Sequence, residues 1–263
     1  MVDEPATLDD TIRRVAEILC DADSVLFVTG AGISADSGLP TYRGVGVLYN
    51  RGDTEDGVAI EDALSGEMLA EQPALSWKYM WQIGAACFGA VPNRAHEIIA
   101  ALETEKEEVW VVTQNVDGLH RAAGSRNLVE VHGHLFDLYC TDCATGYTAE
   151  ELLAGFRAPP ELPPTCTRCN GIVRPNVVLF GEFLSTGVVH ALHDLSTRDF
   201  EVVFSIGTTA VFPYISRPIA WAQSCGKPTV EINAARTEIS DEVRYRIPLG
   251  AAEAMERIRA AMG

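Results

Sequence analysis

The chain has 263 residues, 47% of them hydrophobic and 22% charged, with a formal net charge of −17. That apolar content supports a sizeable core and excludes wholesale disorder, and the length suits one large domain or one domain carrying a smaller insert. The acidic balance argues against non-specific binding to nucleic acid or anionic membranes and suits basic partners such as lysine-rich protein segments.

The acidic start Met1-Val2-Asp3-Glu4-Pro5 leads into no apolar signal segment. No apolar run reaches the ~18 residues a membrane helix needs, so a cytoplasmic protein is expected. Thr7-Leu8-Asp9-Asp10 has the spacing of a capping box and predicts a helix to about Cys20, with Ile12, Val15, Ala16, Ile18 and Leu19 mainly on one side. Residues 25–29 read as a short buried strand. It feeds Gly30-Ala31-Gly32-Ile33-Ser34-Ala35, which fits the G-x-G-x-x-G/A pattern of a turn that brings backbone close to a pyrophosphate. An ordinary strand-to-helix turn fits the same residues. The usual acidic partner some twenty positions on would be Asp53 or Glu55, yet no strand precedes either, so a ribose here is held differently. Residues 38–57 are rich in Gly and Pro and read as a loop. Residues 62–88 turn helical, with Leu75, Trp77, Tyr79, Met80 and Trp81 supplying core bulk. Pro92-Asn93 opens a further amphipathic helix to about Leu102.

Residues 109–112 form the next expected strand, followed by Thr113-Gln114-Asn115-Val116-Asp117-Gly118-Leu119-His120. Then Val129-Glu130-Val131 leads into His132-Gly133. Ligands of open α/β sheets bind beyond the carboxyl ends of strands. Gln114, Asn115, Asp117 and His132 therefore gather amides, a carboxylate and an imidazole where a polar ligand can be oriented and a proton moved. Plainer roles exist for each: Asn115 and Asp117 as turn formers before a short helix, His132 as a satisfied core histidine. His134 is expected on the next strand, and His190 and His193 on a solvated helix face.

Two C-x-x-C pairs, Cys140/Cys143 and Cys166/Cys169, bracket 22 residues. In a reducing compartment this is the pattern of a tetrahedral four-cysteine Zn2+ site, structural because four thiolates leave no open coordination position. Cys20, Cys87 and Cys225 lie among apolar residues in sequence and are expected as inert core thiols. Strand character resumes at 176–180. A helix (186–195) and a strand (201–206) follow, then Gly207-Thr208-Thr209, a helix from Pro213, a strand (229–232) ending at Asn233, and a last helix (251–262). This alternation predicts a doubly wound parallel α/β sheet.

In order, Gly30–Ser34, Ser37-Gly-Leu-Pro40, Arg43-Gly44, Thr113–His120, His132-Gly133, the cysteine pairs, Arg174-Pro-Asn-Val-Val-Leu-Phe-Gly-Glu182, Gly207-Thr-Thr209 and Glu231-Ile-Asn233 resemble the motifs of the sirtuin family of NAD-dependent protein deacylases. The likeness runs from about Val25 to Ser240. It implies a Rossmann-like NAD-binding domain (residues 1–42, 89–134 and 176–263) and a smaller domain made of a cofactor loop with a helical module (43–88) and a zinc-ribbon insert (135–175). An acyl-lysine peptide is then expected in the cleft between them. On this resemblance Gly30, Ala31 and Gly32 bracket the pyrophosphate, and Ile33, Asn115 and Asp117 line the nicotinamide pocket. Gln114 reaches the ribose, Tyr42 and Arg43 belong to the cofactor loop, and Gly207, Thr208, Thr209 and Asn233 serve the adenosine half. Val177, Val178, Phe180, Gly181 and Glu182 form the peptide strand and acyl tunnel, and His132 is the general base toward a ribose hydroxyl. The implied products are nicotinamide, the free lysine and O-acyl-ADP-ribose, with one structural Zn2+; the sequence leaves oligomeric state open, with a monomer favoured.

The chain departs from the family pattern at Tyr42, usually phenylalanine; at Thr209, usually serine; at His134, usually serine or threonine; and at Pro213, which follows Thr209 one residue sooner than in many relatives. Relatives preferring succinyl or malonyl lysine carry a Tyr-x-x-Arg pair. Here those positions fall on Met80 and Ile83, which offer a carboxylate neither charge nor donor, so acetyl or a longer uncharged acyl group is expected. Two other classes compete: a mono-ADP-ribosyltransferase or NAD hydrolase on the same scaffold, and a zinc-ribbon binding module.

Overall fold

The computed structural model describes residues 7–40, 54–157 and 161–263; Tyr42 and Arg43 lie outside the described residues. Helix α1 (Leu8–Asp21) begins as its capping box dictates: Thr7 Oγ1 accepts from the Asp10 N–H at 3.2 Å, and the Asp10 carboxylate accepts from the Thr7 N–H at 3.1 Å. Its buried stripe is Ile12, Val15, Ala16 and Leu19. Strand β1 (Ser24–Thr29) is buried on both faces, as its unbroken Val-Leu-Phe-Val run requires of a central parallel strand.

Between β1 and the next sheet strand the chain leaves for a helical excursion: α2 (Ile60–Ala63), α3 (Gly66–Glu71) and α4 (Pro73–Cys87). The single helical stretch read over 62–88 is thus three helices. Ser65 caps α3, accepting from the Met68 N–H at 3.0 Å, and Pro73 starts α4 at a position where its missing N–H costs nothing. Helix α5 (Arg94–Glu105), capped by Asn93, returns to β2 (Glu108–Thr113). A short helix α6 (Leu119–Ala123) precedes β3 (Leu128–Glu130).

A second excursion follows. Strands β4 (Gly133–Cys140), β5 (Gly146–Thr148) and β6 (Val173–Val177) form an antiparallel sheet in the order β5-β4-β6, with helix α7 (Ala149–Leu153) packed on it. Strand character read at 176–180 is therefore displaced toward the N-terminus: Asn176 and Val177 close β6, and 178–182 run on as irregular chain. The main sheet resumes with α8 (Thr186–Ser196), β7 (Val202–Ile206), α9 (Pro213–Ser224), β8 (Thr229–Ile232), β9 (Tyr245–Ile247) and α10 (Ala251–Met262).

The six parallel strands take the order β3-β2-β1-β7-β8-β9. This is the doubly wound arrangement, with the strand order reversing between β1 and β7. Helices α1, α5 and α10 bury Val15, Ile99 and Ile258 on one face of the sheet, and α8 and α9 bury Leu195, Ile215 and Ile219 on the other. A separate core unites the two excursions: Trp77, Tyr79 and Met80 of α4 pack with Leu138, Leu153, Val173 and Leu179. The Trp77 indole N–H donates to the Val173 carbonyl at 2.9 Å, which fixes α4 on β6. Met80, expected at the acyl tunnel, is 2% exposed within this core. Cys20 and Cys225, expected in the core, are exposed, because both sit on the outer side of their helix ends; Cys87 is half-buried.

Candidate active site and metal centre

At the switch point the ends of β1 and β7 touch through backbone. The Gly32 N–H donates to the Gly207 carbonyl at 2.8 Å, and a Cβ on Gly32 would lie 2.6 Å from the Gly207 Cα. Gly207 itself has φ +61°, so both positions need glycine for a contact this close. One strand over, the Gln114 N–H donates to Thr29 O at 3.0 Å. The loop after β2 is thereby carried to the glycine turn.

Asn115 is buried and donates through Nδ2 to Gly30 O and to Ser34 Oγ, each at 3.1 Å. Ser34 Oγ in turn donates to Asp117 Oδ2 at 2.7 Å, while Asp117 Oδ1 accepts from the Leu119 N–H at 2.9 Å. Burial pushes the Asp117 carboxyl above the ordinary carboxylate range, and the Leu119 and Ser34 donors offset only part of that. Gln114 Nε2 donates to Thr208 Oγ1 at 2.6 Å, and Asn233 Nδ2 donates to Thr208 O at 3.3 Å. Ile33 is fully buried beneath the turn, and Asn93 Nδ2 holds its carbonyl at 2.7 Å. Thr209 is exposed at the rim.

His132 lies between β3 and β4. Gly133, at φ +83°, lets β4 approach β6 where a Cβ would strike Asn176 O at 2.0 Å. His132 Nδ1 is 3.0 Å from Gln114 O. A carbonyl only accepts, so Nδ1 carries the proton and Nε2 holds the in-plane lone pair. Burial lowers the imidazole pKa, and the Gln114 bond partly restores it. The ring is therefore neutral and basic at neutral pH.

His132 O accepts from the Val178 N–H at 2.9 Å, which ties the histidine to the segment expected to receive peptide. Within that segment Phe180 pairs with residues 64–66: its N–H donates to Leu64 O and its carbonyl accepts from Gly66 N–H, each at 3.0 Å. Gly181 is exposed at φ +81°. The Glu182 carboxylate turns to Arg174, with Nη1–Oε1 at 2.6 Å and Nη2–Oε2 at 3.0 Å. Its role in the structure is as an ion-pair partner.

Four thiols converge at the far end of the antiparallel sheet. Cys140, Cys143, Cys166 and Cys169 place all four sulfurs within 4.8 Å of one another. A tetrahedral Zn2+ with Zn–S near 2.3 Å needs sulfurs about 3.8 Å apart, so the set fits that ion. Each C-x-x-C pair sits on a matching turn. The Cys140 N–H donates to Thr145 O and the Ala144 N–H to Cys140 O; the Cys166 N–H donates to Gly171 O and the Asn170 N–H to Cys166 O. Ala144 and Asn170 carry the same left-handed φ, +56° and +62°.

Three contributors escaped the reading of the sequence. Ser34 joins Asn115 to Asp117, and only its place in the glycine motif hinted at this. Arg174 sat in a quoted motif with no role attached. Tyr214, whose hydroxyl lies 2.9 Å from His132 Nε2, was signalled by the early Pro213, which shortens the loop ahead of it. His134, on β4 as expected, faces Asp137 at 3.4 Å and Gly118.

The sequence profile of the Sir2 family matches residues 30–213. A relative from Pseudomonas aeruginosa, named NAD-dependent protein deacylase 2, is 46% identical over 250 residues, covering 94% of this chain and 95% of the relative. A solved structure described as Sir2 with p53 peptide and NAD+ is 27% identical with a TM-score of 0.80, covering 95% of this chain and 97% of its own. Another, a Sir2 mutant with deacetylated p53 peptide and 3′-O-acetyl ADP ribose, has a TM-score of 0.83 at 27% identity, covering the same 95% and 97%.

Proposed function

The chain belongs to the Sir2 family, and from that premise we propose that it removes acyl groups from protein lysine side chains in an NAD-dependent reaction, yielding nicotinamide and O-acyl-ADP-ribose. It is an NAD-dependent protein deacylase with one structural Zn2+. The observation that carries this reading is the setting of His132. Its Nδ1 proton is committed to Gln114 O, which leaves Nε2 unprotonated and ties the ring to the start of the loop that carries Asn115 and Asp117.

The donor set suits NAD. Asp117 accepts from a carboxamide, Asn115 and Ile33 line the nicotinamide pocket, and Gly30, Ala31 and Gly32 admit the pyrophosphate. Gln114 serves the ribose, and Gly207, Thr208, Thr209 and Asn233 the adenosine half; Tyr42 and Arg43 complete the set from the cofactor loop. When bound, NAD supplies a nicotinamide leaving group and a ribose that takes over the acyl group. His132 then accepts a proton from a ribose hydroxyl at Nε2, a contribution typically worth ~10²–10⁴-fold in rate. Its lowered pKa keeps Nε2 unprotonated at neutral pH.

Val177, Val178, Phe180, Gly181 and Glu182 present the substrate strand. Beside it lies a groove lined by Glu61, Asp62, Glu67, Phe180 and Glu182, which supports lysines in basic segments as targets. The apolar Met80 and Ile83 favour acetyl or longer uncharged acyl groups over succinyl. No helix among the described residues is long and apolar enough to cross a membrane, and four reduced thiols suit a cytoplasmic setting.

A panel of acyl-lysine peptides with NAD, read by mass spectrometry of both products, tests the reading. Acetyl peptide should give O-acetyl-ADP-ribose, with succinyl peptide slower. His132→Ala should keep NAD binding and lose turnover. Nicotinamide release that needs no acyl peptide would instead favour an NAD hydrolase or mono-ADP-ribosyltransferase.

A further inference from the structure

Tyr214 occupies the first turn of α9, directly after Pro213 at the helix start. Its hydroxyl lies 2.9 Å from His132 Nε2. Because Nδ1 carries the proton, the neutral ring has a single in-plane lone pair, and the Tyr214 O–H donates to it. The contact is held from several sides. The Phe212 and Tyr214 rings stack at 5.4 Å with 9° between planes, and both stand edge-on to the imidazole, at 6.0 and 6.1 Å. Tyr214, like Val188 and Leu192 of α8, packs against the core that includes Leu195, Ile215 and Ile219. Burial pushes the phenol pKa up, so the hydroxyl stays protonated and stays a donor.

A general base acts through the lone pair it offers its substrate. In this structure that lone pair is taken. We propose that Tyr214 holds the resting His132 ring by its Nε2 lone pair, so that the nucleotide's ribose hydroxyl must displace the Tyr214 O–H to reach the base. The inference rests on the deacylase reading for the identity of that hydroxyl. It makes the Tyr214–Nε2 bond a cost of nucleotide binding, so its removal should tighten binding.

The isosteric Tyr214→Phe keeps the ring stack and deletes only the hydroxyl. A net hydrogen bond of ordinary strength predicts about 2- to 10-fold tighter ADP-ribose binding by calorimetry, and a matching rise in kcat/KM for NAD expressed mainly through KM. The control is a double-mutant cycle. With His132→Ala already present the competition is gone, and adding Tyr214→Phe should leave ADP-ribose affinity unchanged within about 2-fold. A fall in kcat of tenfold or more at constant KM would mean that the proton passes through Tyr214, and would overturn the proposal. Unchanged affinity in Tyr214→Phe, or the same gain with and without His132, would overturn it as well. Failure of the unsubstituted protein to bind ADP-ribose or turn over NAD would instead defeat the deacylase reading itself.

Discussion

Ser34 Oγ stands between Asn115 and Asp117, accepting from the Asn115 amide at 3.1 Å and donating to the Asp117 carboxylate at 2.7 Å. One hydroxyl on the turn after β1 thus fixes both polar groups on the loop after β2. Ser34→Ala strips a partner from each. With about 1 kcal/mol at stake per bond and buried groups left unsatisfied, NAD affinity should fall roughly 10- to 100-fold while the fold persists. Loss of the donor also raises the Asp117 pKa further, so the acidic limb of kcat/KM for NAD should move to higher pH. Titration calorimetry with NAD and a pH–rate profile check both; an affinity within 2-fold of the unsubstituted protein would contradict the bridge.

The metal site allows a second prediction. Trp77 and Val173 bind α4 to the zinc-bearing sheet, so the two excursions share a core. Structural zinc in small peptides is worth ~10–16 kcal/mol of apparent binding energy. A strong chelator should therefore release one Zn2+ per chain and melt this core together with the substrate strand, abolishing deacylation. Ala144 stands at φ +56°, where an L residue is strained by about 1–2 kcal/mol. Ala144→Gly should slow zinc loss to chelator, measured with a colorimetric zinc indicator; faster loss would show that the turn gains from the methyl group.

Much of this fold could be read from periodicity. The helix of residues 251–262 and the strand of 229–232 stand where the pattern placed them, because one carries an uninterrupted apolar stripe and the other an unbroken buried run. The misreadings came where tertiary contacts decide. Residues 62–88 look like one helix, yet Ser65 and Pro73 cut it into three, because the chain must fold back over β6. β9 (Tyr245–Ile247) has only three residues and is recruited by pairing with β8, a non-local contact that local pattern cannot report. Cys20 and Cys225 fall among apolar neighbours in sequence, but one step around a helix end turns a side chain outward. For the candidate site, residue types and their order singled out Asn115, Asp117 and His132. What a residue is turned toward was not legible, and so Tyr214 and the Ser34 bridge were missed.

Behind the β1 end lies a buried pair of imidazoles. His120 Nε2 is 3.0 Å from Thr29 Oγ1, and the His96 and His120 rings meet edge-on at 4.8 Å. Burial lowers the His96 pKa to about 4 and the His120 pKa well below its ordinary value. An unfolded histidine titrates near 6.5. Below that pH the unfolded chain binds protons that the folded chain refuses, so the stability these groups contribute is present above pH 6.5 and is lost as pH falls toward 4. Between pH 7.5 and 5.5 the loss is about 1 kcal/mol per ring, and His132, also lowered, acts in the same direction. His96→Gln, which keeps an acceptor for the Asn93 N–H, should flatten this slope in urea unfolding. An unchanged slope would show that the pair does not govern it.

Arg174 ties the segment proposed to receive peptide to the rest of the fold. It is 5% exposed, and its guanidinium grips Glu182 bidentately while Nη2 also donates to Val177 O at 2.7 Å. Burial alone would raise the Glu182 pKa, but the Arg174 and Leu179 donors outweigh it and hold the carboxyl below its usual range. The contribution is thus present above the ordinary carboxylate pKa and is lost as pH falls through the depressed value. Removing one member leaves the other charge unpaired. Because Glu182 keeps some solvent, Arg174→Ala should cost about 2–4 kcal/mol, toward the lower part of the range for buried pairs. Arg174→Lys tests the other half of the role. An ammonium keeps the charge and has three donors, but its single nitrogen does not reproduce the planar fork with which Nη1 and Nη2 reach the two Glu182 oxygens and the Val177 carbonyl. If Arg174 sets the edge on which the acyl peptide lies, Arg174→Lys should raise peptide KM about 10-fold and leave NAD KM within 2-fold. Equal effects on both substrates would mean that the pair only holds the fold.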